Sequence, residues 1–356
     1  MKRAATTPIG ARAAMFMMTM EELAMNGLGR QARGWARAAA IVVAAVTFGV
    51  SAFAQGAPTT VRLADQPGAE VDYAAVWVAE GLGYYEKEGI RIDRKTYANG
   101  PAALLDMPSG SVDAVMAAIA PFMQFVARGG DLRIVMSLTK GNAALVGLKK
   151  YTAYKQLDGK KVGTPGIGTI HDAILGYAEQ TMGFKVQRVF GKITDISVMI
   201  DKGEVEAFIG WEPASAAAIA QSDKIHYIQQ LPPIPNAESL ELAFSPKMLK
   251  EHPDVVVRFV RATLRGIDYI RTQPKEKVAE ILAKKMNDPK AVPIVLNAMG
   301  SVILTDPKID MPSTRIILQT IAKQGKIPED LVKDVDGWVG KYVDYSYLEK
   351  AQASLK

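Results

Sequence analysis

Short apolar runs alternate with amphipathic stretches through residues 58–121 of this 356-residue chain. Apolar runs bounded by Gly, Pro and Asn are typical of strands, and apolar residues spaced three to four apart are typical of helices. The pattern predicts, in order, a strand at Val61–Ala64, a helix at Val71–Gly81, a strand at Ile90–Thr96, a helix at 102–107 and a strand from Gly110 to near Pro121. Such alternation predicts a parallel sheet with helices on its faces.

The same alternation occurs a second time, from residue 161 to residue 213. The motifs Gly110-Ser-Val-Asp-Ala-Val115 and Gly203-Glu-Val-Glu-Ala-Phe208 begin 203 − 110 = 93 residues apart, and Pro121 and Pro213 are 213 − 121 = 92 residues apart. These nearly equal offsets predict two lobes of similar build. The elements predicted for the second lobe are strands at Lys161–Thr164, Lys185–Phe190 and 203–208, and helices at 170–181, 193–202 and Ala214–Gln221.

Two segments are predicted to cross between the lobes. Strands at 132–138 and 143–148 flank a turn at Thr139–Asn142, and a return strand at 240–245 precedes a helical region that starts at Pro246. The prediction is therefore an α/β protein with three parts: lobe 1 begins at 58–146, lobe 2 covers 147–241, and 242–356 returns to lobe 1. Two crossings of this kind form a hinge.

Ligands in parallel α/β sheets bind beyond the carboxyl ends of the strands, so the facing strand ends of two lobes predict a cleft. The turn between the strand at 161–164 and the next helix is the strongest candidate within it. Thr169 is a predicted N-cap and His171 adds a polar ring beside the helix N-terminus, a place that suits an anionic or polar ligand. The candidate ligand-binding residues are Gln66, Tyr73, Gly100, Ile119, Asn142, Gly168, Thr169, His171, Trp211 and Glu212.

Each candidate side chain also has an ordinary structural interpretation. His171 either donates to a ligand or caps its own turn, and Trp211 either forms an apolar wall of the cleft or packs in the core. Glu212 either accepts from a cationic or hydroxylated group or is a surface charge near the hinge. Gln66 and Asn142 are loop amides, which often only order their own loops.

The N-terminal segment, residues 1–54, is predicted to be a Sec-type export signal. Basic residues precede the apolar run Ala38–Val50, and Ala52-Phe53-Ala54 supplies a small-residue cleavage pattern. The true start is then either Met1 or Met25, and an uncleaved anchor is the alternative. The chain contains no cysteine, which excludes disulfides and a lipid anchor on a cysteine. The expected location is therefore the periplasm, as a protein that is not a lipoprotein.

Several classes of function lack their signatures in this sequence. The turn at 164–171 has neither the phosphate-loop lysine nor the third glycine of a dinucleotide fingerprint, and Gly-x-Ser-x-Gly is absent. His171, His226 and His252 do not share a metal-binding spacing. About two-thirds of the net charge of +6 comes from residues 1–57, so the basic pI does not indicate a nucleic-acid partner. We expect no metal, no cofactor and no catalysis.

Three segments resemble the periplasmic substrate-binding proteins of ABC importers: Ala79–Ile90, Gly168–His171 and Gly203–Pro213. The most similar group binds aliphatic sulfonates, taurine, nitrate or bicarbonate, together with thiamine-precursor pyrimidines. The resemblance implies a type II two-lobe binding-protein fold with the ligand cleft between the lobes. It also implies a monomer that captures a small organic or inorganic anion-like solute by hinge closure and delivers it to a membrane permease and its ATPase.

The resemblance leaves alternatives open. Pyrimidine synthases on the same fold use a cysteine-rich motif, and this chain has no cysteine. A periplasmic ligand sensor would have the same sequence features as a transport component. The segment Ala118-Ile119-Ala120 lacks the small polar residues with which the family often contacts an oxyanion, so a carboxylated or aromatic ligand is as well supported as a sulfonate or nitrate.

Overall fold

The computed structural model describes residues 57–303 and 306–355. The predicted signal peptide, residues 1–54, and the choice between Met1 and Met25 lie outside the described residues. The described strands, numbered in chain order, are β1 (Thr59–Asp65), β2 (Ile90–Thr96), β3 (Ala114–Ala117), β4 (Arg133–Gly141), β5 (Ala144–Leu148), β6 (Lys161–Thr164), β7 (Gln187–Phe190), β8 (Ala207–Gly210), β9 (Ile225–Gln229), β10 (Glu238–Phe244) and β11 (Val302–Ile303).

These strands form two sheets. The first has the order β11-β4-β10-β3-β1-β2 and the second has the order β7-β6-β8-β5-β9. In the first sheet β1, β2, β3 and β4 run in one direction, and in the second sheet only β5 opposes the other strands. The predicted mostly parallel sheet in each lobe is therefore confirmed.

Helices flank both sheets. The described α-helices are α1 (Ala74–Gly81), α2 (Tyr84–Lys87), α3 (Gly100–Leu105), α4 (Ile119–Ala127), α5 (Ile170–Met182), α6 (Ile196–Asp201), α7 (Ala214–Gln221), α8 (Pro246–Glu251), α9 (Pro253–Thr272), α10 (Lys275–Lys285), α11 (Val292–Ala298), α12 (Met311–Lys323), α13 (Val335–Gly340) and α14 (Ser346–Ala353). The long α9 packs on α1 and α14, while α12 touches both α4 of the first lobe and α5 of the second.

Local sequence explains where the helices near the cleft begin and end. The Asn99 side chain accepts from Ala102 N–H and so caps α3, and Thr169 caps α5 by accepting from Asp172 N–H. Helix α5 ends at Gly183, whose positive φ of 68° suits a residue without a Cβ. Both caps lie on loops that follow strand ends, so they set the direction in which α3 and α5 leave the cleft.

Two segments of the first lobe differ from the sequence prediction. The third strand ends at Ala117, and Ile119, Ala120 and Pro121 are the first turn of α4, because proline is well tolerated there and the run Ile119–Val126 is nearly all buried. The predicted turn at Thr139–Asn142 is shorter, since β4 continues to Gly141 through its pairing with β10 and β11. Gly141 and Asn142 both have positive φ angles, of 89° and 43°.

The chain changes sheet twice, between β4 and β5 and between β9 and β10. The first crossing is Asn142-Ala143, and the second is the proline-containing segment 230–237. These are the two connections that the sequence predicts for a hinge. The predicted lobe limits of 58–146, 147–241 and 242–356 stay a prediction.

The contact between α9 and α1 leaves no space for a side chain at Gly266. A Cβ there would overlap the carbonyl oxygen of Ala75, which is backbone and cannot turn away. We expect Gly266→Ala to lower the free energy of unfolding by about 1–3 kcal/mol, the usual effect of overpacking. Urea denaturation measures this loss. Gly340→Ala is the matched control, because a Cβ at that helical glycine meets nothing within 4 Å; equal effects of both changes would contradict the close contact.

Candidate functional site

A small cavity of about 30 Å³ lies between the two sheets. Three strands point their carboxyl ends at it: β1 ends at Asp65, β3 at Ala117 and β8 at Gly210, and the cavity is lined by the residues that follow, Gln66, Ala118 and Trp211. This is the position that parallel α/β sheets use for ligands. The residues that line the cavity are Gln66, Ala69, Asp72, Gly100, Pro101, Ala117, Ala118, Pro121, Thr169, Ile170, His171, Trp211, Ser239 and Leu240.

Direct hydrogen bonds between the lobes close the cavity. Asn99 Nδ2 donates to Pro165 O at 3.2 Å, and Gln124 Nε2 donates to Gly168 O at 2.9 Å. Trp211 Nε1 of the second lobe donates to Pro67 O of the first at 3.1 Å. The two lobes are therefore in direct contact around the cavity, as in a closed arrangement.

The turn before α5 is already neutralised by the protein's own charges. Asp172, in the first turn of α5, accepts from Gly168 N–H at 3.4 Å and forms ion pairs with Arg188 at 2.7 Å and Lys326 at 2.5 Å. The Thr169 hydroxyl accepts from Asp172 N–H and donates to Gly166 O. The helix N-terminus thus faces a carboxylate of its own chain, which disfavours a second anion at the same place.

His171 lines the cavity and has one ring nitrogen without a hydrogen-bond partner in the described part of the chain. Its Nε2 lies 3.2 Å from the carbonyl oxygen of Asn142, and because a carbonyl can only accept, Nε2 carries the proton. Nδ1 is buried and has no partner among the described residues. Burial lowers the pKa of His171 to about 4, so the ring is neutral at physiological pH. The ring also packs against Trp211, with 5.3 Å between the centroids.

Asp72, which the sequence reading missed, places a carboxyl group in the wall of the same cavity. It lies just before α1, is 6% exposed and accepts a hydrogen bond from the Thr139 hydroxyl. Burial raises its pKa to about 7, and hydrogen bonding by Thr139 and Asn142 opposes that rise. A charged residue inside the otherwise apolar run Val71–Val78 was the available sequence signal.

A second group of buried charges lies beneath the cavity, on β4 and β10. Lys140 Nζ is 3.4 Å from Glu238 Oε1 and also donates to the carbonyl oxygens of Asp306 and Lys308. Glu238 accepts in addition from the Ser137 hydroxyl at 2.8 Å. Burial and the neighbouring charge of Glu238 raise the pKa of Glu241 well above its usual range, so Glu241 is neutral.

Residues 70–277 match the family described as NMT1/THI5 like, and these 277 − 70 + 1 = 208 residues are more than half of the 356. The chain belongs to the NMT1/THI5-like family. The family resemblance inferred from the sequence is thereby confirmed.

Individual relatives of this NMT1/THI5-like protein are distant. A Brucella abortus protein, provisionally named as a binding protein, is 25% identical over 80% of this chain and 86% of its own length. Two solved structures share the fold. The alkanesulfonate-binding protein SsuA of Xanthomonas axonopodis has a TM-score of 0.65 at 14% identity, with 81% of this chain and 99% of that chain covered. The nitrate-binding protein NrtA of Synechocystis has a TM-score of 0.69 at 15% identity, covering 84% and 89%.

A third solved structure is the ligand-binding component of an ABC-type import system from Staphylococcus aureus. It has a TM-score of 0.67 at 16% identity and covers 82% of this chain and 99% of that one. All three likenesses support the two-lobe binding-protein fold that the sequence predicts for this NMT1/THI5-like protein. They carry no information about which solute it binds.

Half of the ten predicted ligand-binding residues line the cavity: Gln66, Gly100, Thr169, His171 and Trp211. The other five do not. Tyr73 is fully buried behind the wall, where its hydroxyl bonds Gln66, and Ile119 is buried at the start of α4. Gly168 has a φ of 81°, and its carbonyl oxygen accepts a hydrogen bond from Gln124 Nε2.

Asn142 and Glu212 are buried together at the first crossing. Asn142 Oδ1 accepts from Glu212 N–H at 2.7 Å. The Glu212 carboxylate accepts from Ala216 N–H at 3.0 Å and from the Tyr227 hydroxyl at 2.8 Å. Both residues therefore fix the hinge and the start of α7 rather than forming the wall of the cavity.

The described residues contain neither a cluster of metal ligands nor a membrane-spanning helix. Within 57–303 and 306–355, no group of three or more His, Asp or Glu side chains is placed to hold a metal ion. No helix in the same described ranges is long and apolar enough to cross a membrane. The predicted export signal, and the uncleaved anchor that is its alternative, fall in residues 1–54, outside these ranges.

Proposed function

We propose that this protein is the periplasmic solute-binding component of an ABC importer. In this proposal it is a monomer that captures a small solute between its lobes and presents the closed form to a permease and its ATPase. The observation that supports this most strongly is the cavity between the lobes, because both lobes contribute to its wall at their strand ends and two crossing segments connect them.

The mechanism follows from the position of the wall residues. A solute that touches Gln66 and Asp72 of one lobe and His171 and Trp211 of the other makes all its contacts only when the lobes are closed. Its binding free energy then favours the closed state over the open one. The rim hydrogen bonds from Asn99, Gln124 and Trp211 form at the same time and add to closure.

The enzyme alternative has no residue constellation to support it. The cavity wall contains one histidine and one carboxylate, and the chain lacks the cysteines of the pyrimidine-synthase motif. A sensor that reads the same closed form on a receptor instead of a permease would share every feature described above. A gene for a permease beside the gene for this chain would favour import.

A thermal-shift screen tests the proposed function. The full chain is expressed in bacteria, and the protein is purified from the periplasmic fraction, where cleavage after Ala54 would give Gln55 as the first residue. The panel holds taurine, alkanesulfonates, nitrate, bicarbonate, aromatic carboxylates and pyrimidines. A ligand at a hundred times its Kd adds about 2.7 kcal/mol to stability.

The control in this screen is Trp211→Ala, which removes a cavity wall from the second lobe. A hit that is lost in this variant supports binding between the lobes. A hit that is retained places the solute elsewhere and contradicts the proposal. Release of a chemically changed product from any hit would favour the enzyme alternative instead.

A further inference from the structure

Most side-chain hydrogen-bond donors in the cavity wall already bond to other groups of the protein and are not free to bind a solute. Trp211 Nε1–H donates to Pro67 O, and the Thr169 hydroxyl donates to Gly166 O. The Ser239 hydroxyl donates to Thr139 O at 3.0 Å, and His171 Nε2–H donates to Asn142 O. Apart from one amide proton of Gln66, whose other proton donates to Met116 O, the side-chain donors of this wall are engaged by the protein.

The acceptors of the same wall remain. His171 lines the cavity, and its Nδ1 is buried and has no partner among the described residues. Asp72 adds a carboxyl group that accepts from the Thr139 hydroxyl and from the Asn142 side chain and has lone pairs left for a further donor. An unpaired buried acceptor costs free energy until a donor reaches it. A solute with N–H groups satisfies these atoms, whereas an oxyanion brings further acceptors.

The charges around the cavity favour the same kind of solute. Its described lining contains no lysine or arginine, and the one ionisable acid in it is Asp72. The nearest buried cation in the first lobe's sheet, Lys140, is engaged by Glu238 and two carbonyl oxygens. Arg188 and Lys326 are paired with Asp172 outside this lining. A buried anion would therefore lack a counter-charge and would lie close to a carboxyl group.

We propose that the solute of this cleft is a small nitrogen compound that donates hydrogen bonds, of the amine, amidine or guanidine type, and is not an oxyanion. This inference rests on the proposed function, because it concerns the cavity between the two lobes. Asp72 would accept from the positively charged nitrogen group, and His171 Nδ1 would accept from a second N–H. Trp211 would cover one side of the solute.

Pairs of probes with the same shape and opposite charge test this inference. Guanidinium and nitrate are both planar and four heavy atoms in size, and benzamidine and benzoate share a phenyl ring and a planar three-atom head group. The full chain is expressed in bacteria, and the protein is purified from the periplasmic fraction. Each probe is titrated into it at millimolar concentration and constant ionic strength, and calorimetry gives its Kd. We expect a cation of at least one pair to bind more tightly than its matched anion.

Two variants connect the binding to the cavity. At pH 8, above the Asp72 pKa of about 7, Asp72→Asn removes a negative charge but keeps the shape. We expect it to weaken cation binding at least about tenfold, the usual effect of losing a charged hydrogen-bond partner. Asp223→Asn is the matched control, because Asp223 is an exposed carboxylate outside the cavity lining. It should leave the Kd unchanged.

The ring nitrogens of His171 give an independent measurement. The chain has three histidines, so the ring signals of His171 are assigned by their loss in His171→Gln. We expect an unprotonated Nδ1 signal that moves when the cation binds and stays in place with the matched anion. A protonated Nδ1 in the free protein would overturn the inference.

The outcomes separate the inference from the proposed function. If nitrate or benzoate binds more tightly than its matched cation and the binding is lost in Trp211→Ala, the solute class is wrong and the proposed function stands. If neither cation binds, the inference is overturned as well. If no probe or panel compound binds between the lobes, the proposed function fails together with it.

Discussion

Lys140→Met is expected to lower the free energy of unfolding by about 3–5 kcal/mol, the usual result when one partner of a buried ion pair is removed. Lys140 is 4% exposed and Glu238 is fully buried, and the pair is 3.4 Å apart. Without the ammonium group, Glu238 becomes a buried carboxylate next to Glu241, with Ser137 and Asp310 N–H as its remaining donors. Two carbonyl oxygens also lose their donor.

Urea denaturation of the wild type and Lys140→Met measures this effect. Lys149→Met is the matched control, since Lys149 is exposed on the second lobe and surface changes are usually worth less than about 0.5 kcal/mol. The double variant Lys140→Met/Glu238→Gln should recover part of the loss, because it removes the uncompensated charge. A single variant as stable as the control would show that the pair is solvated rather than buried.

The stability of the protein should respond to pH through His171 and Asp72 in opposite directions. The pKa of His171 is lowered from 6.5 to about 4, so its contribution is present above pH 6.5 and is lost as the pH falls towards 4. The pKa of Asp72 is raised from 3.8 to about 7, so its contribution is present below pH 3.8 and is lost as the pH rises towards 7. Between pH 4 and 6.5 the two slopes largely cancel in the wild type.

Single variants reveal the two slopes. Relative to the wild type, Asp72→Asn should gain up to about 1.4 kcal/mol of stability per pH unit as the pH rises from 4 to 7. His171→Gln should instead gain stability relative to the wild type as the pH falls from 6.5 to 4. Urea denaturation at several pH values measures both differences. Slopes of the same sign in the two variants would contradict the opposite pKa shifts.

The fold could be predicted from the sequence wherever one lobe repeats the pattern of the other. Strands at Lys161–Thr164 and Ile90–Thr96 and the helix at Ala214–Gln221 were predicted within one residue, because turn residues and apolar periodicity agree there. The prediction was wrong at Ile119, where a uniformly apolar run is consistent with a strand or a buried helix. Tertiary contacts with α5 and α12 decide for the helix.

The site was harder to predict because a cavity wall depends on contacts between distant residues. The strand-end rule found Gln66, Trp211 and His171, since position in the chain alone places them at the cleft. The rule could not distinguish a residue that lines the cavity from a residue that packs behind the lining. Tyr73 and Glu212 lie close to the cavity, as predicted, but they do not line it. Their polar atoms form hydrogen bonds with Gln66, Ala216 and Tyr227 instead.

The anion-like solute expected from the sequence differs from the N–H donor that we propose from the cavity wall. A histidine at a helix N-terminus suggests an anion site when only the turn is known. The tautomer of His171 depends on the carbonyl of Asn142, 29 residues away, and the helix end is paired with Arg188 and with Lys326, which is 154 residues from Asp172. None of these partners has a sequence signal. They are what makes the wall rich in acceptors.

The most direct test of the central claim, solute-driven closure of the two lobes, is a distance measurement between them. The chain has no cysteine, so spin labels attach only at the two introduced positions of Leu105→Cys/Val198→Cys, which are exposed residues on the first and second lobes. Double electron–electron resonance is recorded without solute and with guanidinium, nitrate, benzamidine, benzoate, taurine and bicarbonate in turn. We expect the distances to shorten and narrow with a solute that raises the Tm, and to stay unchanged with that solute in Trp211→Ala. A distribution that no solute alters would contradict closure on a ligand.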